Sequence, residues 1–292
     1  MAEFAVVRLN LPPPHFAHSG IMTEVCETVH HGLRGLGHDS VLTENAVFAD
    51  RINILFAGHL LPLFGDFSLP PATVFFNLEP IIPEMLARIP QYPDLLGHPN
   101  VLRVWDYDAR NLPALAELGI RTAVHTPIGY APEMTRIAKA AECDIDVLFY
   151  GILVERRLAL KNALDRAGLK TEFASGIYGD ERDALVARAK VVLNISQFEH
   201  SSRFDQVRLS YLLANRKCIV SEGGIDPMLE QDFAVAVTFA PYAELVNECV
   251  YLCAVTAERE LMEQRGFEFF SRRLQSELLR GPVADLLRLR AL

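Results

Sequence analysis

Three stretches of the chain put arginine, carboxylate and glycine where apolar runs end. The segment Gly151-Ile152-Leu153-Val154-Glu155-Arg156-Arg157 follows the run Asp146–Tyr150. A glycine there lets a ligand approach the backbone, and Arg156 or Arg157, at the start of the next helix, can meet a phosphate with a planar fork of donors. Residues Ser196–Asp205 form a polar loop carrying Glu199, Arg203 and Asp205, set between an apolar strand and the segment Gln206–Ala214. A loop this polar between two core segments gains most by holding a polar ligand. Arg208 and Tyr211 are three apart, which predicts one shared helix face with Leu209, Leu212 and Leu213 on the buried side. Glu222-Gly223-Gly224 closes another apolar run, and paired glycines there open backbone amides to an anion.

The first half offers groups for proton transfer. Residues 11–20 follow the first apolar run and bring His18, Ser19 and Gly20 to the start of a helix. His18 is a candidate base because imidazole titrates near neutrality. Glu79 and Asp106 each emerge just past a buried run, Asp106 followed by Tyr107. A carboxylate in that position suits a general base, and helix capping is the structural alternative for Asp106. No G-x-G-x-x-G follows the first strand, where Pro12-Pro13-Pro14 stands, so a nicotinamide fingerprint is missing. G-x-x-x-x-G-K-[ST], H-E-x-x-H and G-x-S-x-G are absent too, which removes the usual nucleotide triphosphatase, zinc protease and hydrolase readings.

The elements that must position these groups follow from composition and periodicity. The 292 residues, 50% hydrophobic and 22% charged, with a mean hydropathy of +0.16, suit a globular chain of two domains. A formal net charge of −9 disfavours duplex nucleic acid as a partner, so any phosphate is small and bound locally. The most apolar stretch, 52–67, is interrupted by His59, Pro62 and Asp66 and does not make a membrane span. Glu3 stands where a secretory signal would be basic, so a cytoplasmic protein is expected. The five cysteines make no disulfide framework. Cys249 and Cys253, four apart in an apolar helical pattern, read as core thiols, and no metal site is expected.

Short β-branched runs alternate with helical patterns in both halves, the mark of parallel sheets covered by helices. Strands are predicted at Phe4–Leu9, Ser40–Thr43, Asn53–Ala57, Thr73–Asn77, Leu102–Trp105 and Thr122–His125. In the second half they fall at Asp146–Tyr150, Glu172–Ala174, Lys190–Ile195, Lys217–Ser221 and Val235–Phe239. The clearest helix runs from Ile21 to Leu36 and should close at Gly37. Others are expected at Arg156–Ala167, Asp180–Ala189, Gln206–Ala214, Tyr242–Ala254 and Ala257–Leu279. The seam is Thr126–Asp144, rich in proline, with the boundary near residue 140. The expected fold is α/β, two Rossmann-like doubly wound domains, 1–140 and 141–292, facing a central cleft, with the C-terminal helix packing back toward the first. Ligands of such sheets bind outside the carboxyl ends of the strands.

From Asp144 to about Phe270 the chain resembles the donor-binding domain of a GT-B glycosyltransferase, in the style of the bacterial spore-protein glycosyltransferase-like group. Carrying the resemblance are Gly151, Arg156-Arg157, Ala187-Arg188-Ala189-Lys190, Glu199, Arg208 to Asn215, Cys218-Ile219-Val220 and Gly223-Gly224. The first half resembles the acceptor domain more weakly, through Gly20, Gly37-His38 and Pro127-Ile128-Gly129-Tyr130. The resemblance implies transfer of a hexosyl or related sugar from a nucleoside diphosphate donor, without metal or other cofactor, to an acceptor that is a glycan, a protein or a small molecule. It assigns Gly151, Arg156, Arg157, Glu199, Arg203, Arg208, Tyr211, Glu222, Gly223 and Gly224 to the donor. Ser19, Gly20 and Tyr107 fall on the acceptor side, and His18, Glu79 or Asp106 is the base if the reaction inverts. Such enzymes place a ribose-holding glutamate where Tyr211 stands, so Glu199, Asp205 or Glu222 would have to replace it. Two other readings remain: a non-catalytic nucleotide-sugar or partner-binding protein, and a sugar-nucleotide epimerase.

Overall fold

The computed structural model describes residues 1–11, 19–65, 67–197 and 204–290. The chain divides into two units, Met1–Glu133 with Arg273–Leu292, and Met134–Arg272.

The first unit holds a six-stranded sheet of β1 (Glu3–Arg8), β2 (Asp39–Glu44), β3 (Ile52–Phe56), β4 (Thr73–Asn77), β5 (Val101–Asp106) and β6 (Ala123–His125). Every pairing is parallel, in the order β2-β1-β3-β4-β5-β6. β3 and β4 are buried along their whole length, as unbroken apolar strands are when helices cover both faces. The helices are α1 (Thr23–Gly35), α2 (Pro83–Arg88), α3 (Tyr92–Leu96) and α4 (Asn111–Glu117). Val25, Cys26, Val29 and Leu33 form the buried stripe of α1, at the spacing of one helix face.

The second unit holds β7 (Ile145–Tyr150), β8 (Thr171–Ala174), β9 (Ala189–Asn194), β10 (Cys218–Glu222) and β11 (Thr238–Ala240). They pair in parallel as β11-β10-β9-β7-β8. Its helices are α5 (Glu155–Arg166), α6 (Gly179–Arg188), α7 (Gln206–Ala214), α8 (Pro227–Phe233), α9 (Leu245–Ala254) and α10 (Thr256–Ser271). Val147, Phe149, Leu164, Val191, Leu193, Val220, Cys249 and Leu252 belong to its core, so Cys249 is a buried core thiol. In each unit the first strand lies between the second and third, so strand order reverses between β1 and β3 and again between β7 and β9. Loops leaving two such neighbours run to opposite faces of the sheet and open a mouth at their carboxyl ends.

Three expectations are corrected. The units part at Glu133/Met134, ahead of residue 140, and 273–292 belongs to the first unit. The run Ala257–Leu279 is two helices, because the Tyr130 N–H donates to the Arg273 carbonyl and the Gln275 N–H to the Tyr130 carbonyl, which holds the chain in a bridge between Tyr130 and Leu274. After the break, α11 (Gln275–Arg290) buries Leu279, Val283 and Leu286 in the first unit. The strand expected at Val235–Phe239 shrinks to β11, because the amides of Ala236 and Val237 turn back onto the Phe233 carbonyl at the end of α8.

Candidate functional site

The mouth between β7 and β9 is built from arginines. β7 ends in Phe149-Tyr150, and Gly151 follows with φ +143°. A Cβ at Gly151 would stand 3.2 Å from Nη2 of Arg208 and 3.3 Å from the Phe149 ring, so glycine is needed both for the backbone turn and for the guanidinium beside it. Arg208 reaches this place from the first turn of α7, whose cap is Asp205, accepting the Arg208 N–H at 3.1 Å. Its Nη1 donates to Asn194 Oδ1 at 2.7 Å, and Asn194 donates from Nδ2 to Ser221 Oγ at 3.0 Å. The Asp205 carboxylate lies 3.4 Å from the same Nη1. Nε of Arg208 is buried with no hydrogen-bond partner among the described residues.

Arg156 and Arg157 stand on the first turn of α5. Arg157 is 6% exposed, donates to the carbonyls of Ile195 and Ile152, and packs over the Phe149 ring at 4.8 Å. Arg156 forms a two-pronged pair with Glu222 at 2.8 and 2.6 Å, bonds the Ser196 carbonyl, and lies over the Tyr242 ring. Burial and then the neighbouring Arg208 charge push the Arg157 pKa down to about 10, with Arg156 adding to the repulsion. Three guanidinium groups therefore share this mouth with the Asp205 and Glu222 carboxylates, and cationic charge is in excess among the described residues. Such a mouth favours an anion.

Tyr211 is not part of it. Arg208 extends back toward the start of α7, as helical side chains do, while Tyr211 is held elsewhere. Its hydroxyl donates to Asp183 Oδ2 at 2.7 Å and accepts from Arg136 Nε at 2.9 Å, and the Arg182 guanidinium lies 4.4 Å from its ring centroid. Burial, then the Asp183 bond, raises the Tyr211 pKa. Asp183 is thus the carboxylate beside Tyr211, whereas Asp205 caps α7 and Glu222 is bound by Arg156. The sequence signal for Asp183 was an acid in the first turns of α6. Gly223 and Gly224 do not present free amides either. The N–H groups of Gly224, Ile225 and Asp226 donate to the Glu230 carboxylate at 2.7–2.9 Å, so an anion of the chain itself already fills the loop, and Gly223 donates to the Ala240 carbonyl. Glu199, Arg203 and His18 lie outside the described residues.

In the first unit the polar groups gather where β3, β4 and β5 end. Asp106 is 0% exposed and accepts from Asn77 at 2.7 Å, from Asn111 at 3.1 Å and from the Asp108 N–H at 2.9 Å. Burial raises its pKa to about 7 against the pull of these bonds. Enclosed in this way, it does not reach a substrate as the expected base must. The side-chain amides of Asn77 and Asn111 that hold Asp106 also donate to the Glu79 carbonyl, at 2.9 and 3.0 Å, and Tyr92 donates its hydroxyl to Asn77. Asp106 is therefore the buried anchor of the Glu79 loop. Glu79 itself keeps 28% of its side chain exposed, with His59 Nδ1 3.4 Å from its carboxylate. Tyr107 is buried after β5, its carbonyl 3.3 Å from His125 Nε2, while Ser19 and Gly20 lie in the short turn Ser19–Met22 before α1. Among the described residues no group of three or more His, Cys, Asp or Glu side chains is placed to hold a metal, and no helix is long and apolar enough to cross a membrane.

Two parallel-sheet α/β units of this topology define a class: the fold is that of the GT-B glycosyltransferases. AviGT4, a glycosyltransferase involved in avilamycin A biosynthesis, superimposes with a TM-score of 0.61 at 15% identity, over 100% of this chain and 98% of that one. Anabaena HepE, solved in complex with UDP and glucose, gives 0.58 at 10% identity, over 99% and 100%. A T4 phage BGT mutant in complex with UDP-glucose gives 0.59 at 11%, over 98% and 99%. For TarM the match spans 55% of that chain. In sequence, the chain is 23% identical to an uncharacterised protein of Acanthamoeba polyphaga mimivirus over 220 residues, covering 68% of this chain and 71% of that one. It is 31% identical to a second uncharacterised mimivirus protein over 109 residues, but spans only 12% of that protein's length. No family model matches the chain.

Proposed function

We propose that the protein is a glycosyltransferase that moves a hexosyl or related sugar from a nucleoside diphosphate donor, held by the second unit, to an acceptor bound by the first. The observation that carries this reading is the Arg208 guanidinium at the β7/β9 mouth, backed by Arg157 and Arg156 and facing the glycine that ends β7. Charge that develops on a departing diphosphate is stabilised by fixed donors in a partly dry site, a task guanidinium groups perform without a metal ion. In this reading Arg208 contacts the diphosphate and Arg157 adds charge from behind. Arg156 and Glu222 brace the loop, and Gly151 lets the phosphates approach the backbone. By the resemblance, Glu199 and Arg203 belong to the donor side as well. If the reaction inverts, Glu79 accepts the acceptor's proton, with Asp106 holding its loop in place. Similarity to structures solved with UDP, UDP and glucose, or UDP-glucose supports a uridine nucleotide as the first to test.

Calorimetry and thermal unfolding with UDP, GDP and ADP test this. A nucleotide at 100 times its Kd adds about 2.7 kcal/mol to stability. Slow release of UDP from UDP-glucose supports transfer, whereas release of no nucleotide from a bound donor favours a binding protein, the reading to which tyrosine at position 211 also points. A changed sugar on an intact nucleotide favours an epimerase. Failure of every nucleotide to bind sinks the proposal.

A further inference from the structure

Two polar side chains close neighbouring apolar strands of the second unit, and the sheet register pairs them. Asn194 ends β9, Ser221 stands one residue before the end of β10, and the two lie opposite each other in the parallel ladder. Asn194 is 5% exposed and Ser221 2%. Polar groups buried this deeply weaken a fold unless their hydrogen bonds are made. Here the bonds are made, and they all run one way. A guanidinium has donors only, so the amide oxygen of Asn194 must face Arg208, and it accepts from Nη1 at 2.7 Å. The amide nitrogen is thereby turned toward β10, where it donates to Ser221 Oγ at 3.0 Å. The Ser221 hydroxyl keeps its proton for the Glu222 carbonyl at 3.2 Å. Glu222 in turn pairs with Arg156 through its carboxylate and accepts the Ser196 N–H at 3.0 Å.

We propose that Asn194, oriented by Ser221, is a positioning residue that sets the Arg208 guanidinium in place for a phosphate-bearing ligand while leaving its charge intact. This rests on the donor reading above. With Nη1 tied to β9, Nη2 is carried to Gly151, where a Cβ would stand 3.2 Å from it, and the guanidinium carbon lies 5.4 Å from the Phe149 ring centroid and 5.0 Å from that of Tyr150. An amide, two rings and a bare backbone thus locate one cation. An arginine fixed before the ligand arrives loses less side-chain freedom on binding. The type of residue matters as much as its place. An uncharged acceptor orients a guanidinium without cancelling its charge, whereas a carboxylate at the same point would form a charge-assisted pair with it and compete with the ligand's phosphate. The one carboxylate that does approach Nη1, Asp205, stands off at 3.4 Å and spends Oδ1 on the Arg208 N–H. Asn194 itself touches no ligand in this reading and acts only through Arg208.

The test measures pyrophosphate and UDP affinity by calorimetry, together with thermal stability, in wild type, Asn194→Asp, Ser221→Thr and Ser221→Val. Asn194→Asp keeps the shape and the acceptor but adds a charge that pairs with Arg208, so the melting temperature holds or rises while pyrophosphate affinity falls at least tenfold. A merely structural asparagine does not produce that opposition, because stability and affinity would then fall together or not at all. Ser221→Thr and Ser221→Val add the same bulk and differ in the hydroxyl, so the threonine variant should bind pyrophosphate at least threefold more tightly than the valine one. Asn194→Asp binding within twofold of wild type overturns the proposal, and so does a loss of affinity matched by a loss of stability. If Asn194→Asp does not fold, the two Ser221 variants carry the test, and equal affinity in them overturns it. Pyrophosphate bound by wild type and lost in Asn194→Asp, with no UDP binding in either, supports the positioning role and removes the donor reading. A wild type that binds neither probe removes both.

Discussion

In the proposed donor site Arg208 matters most, because its neighbours' donors are already committed to carbonyls and to Glu222 while its own Nε is buried without a hydrogen-bond partner among the described residues. Replacing it by Ala should raise the barrier to UDP release from UDP-glucose by about 2–4 kcal/mol, the size of a lost charge-stabilising donor. This is read as kcat/KM, and an unchanged turnover removes Arg208 from the site. Asp106 makes a different prediction. Burial keeps its proton bound up to about pH 7 in the folded state, while the unfolded chain releases it near pH 4. The folded protein thus binds the extra proton, and its stability falls as pH rises from about 4 to about 7, by up to about 4 kcal/mol, then levels off. Thermal melts of Asp106→Asn should lose this slope. A slope equal to that of the wild type would show that Asp106 titrates normally.

Among the elements, the loop between β10 and α8 shows how an inviting sequence can be already occupied. Glycines after a strand leave amides pointing outward, but Glu230 folds back from α8 and takes three of them. Glu230→Ala should strand those donors and cost about 1–3 kcal/mol in chemical denaturation, with no fall in UDP affinity. A gain in phosphate binding by the variant would show that the amide nest is usable once emptied. The strand ends obey the same logic: Asn194 and Asn77 are buried polar residues closing apolar strands, each bonded to a neighbouring strand, Asn194 accepting from Arg208 of α7 and Asn77 donating to the Glu79 carbonyl.

For the molecule as a whole, the C-terminal helix completes the first unit. Gln275 is 1% exposed, accepts the Gly129 N–H at 2.6 Å through its side chain, and anchors the bridge to Tyr130 through its own N–H. α11 then lays Leu279, Val283 and Leu286 into the unit's core. A chain ending at residue 272 should lose the cooperative unfolding of the first unit, each buried leucine withdrawn forfeiting about 1.5–3 kcal/mol. Calorimetric scans of the shortened and full chains check this, and an unaltered first transition would count against it.

Local chemistry was enough to mark most of the strands, because short apolar β-branched runs bounded by turn residues fit strands buried on both faces. It also marked the helix closing at Gly37, which adopts φ +81°, and the placement of Gly151, Arg156, Arg157 and Arg208 at loop mouths. Tertiary structure decided everything that depends on where a side chain travels: Tyr211 and Arg208 are three residues apart but serve different clusters, and Asp106 and Glu79 both leave strands yet only one remains accessible. His59 was seen in the sequence only as an interruption of an apolar run, since its meeting with Glu79 depends on Ala57 in the left-handed region and on Gly58 pressed against Phe75. Spacing along a chain records which face a residue leaves from, whereas burial and partners are set by segments distant in sequence, and a single-sequence pattern does not contain them.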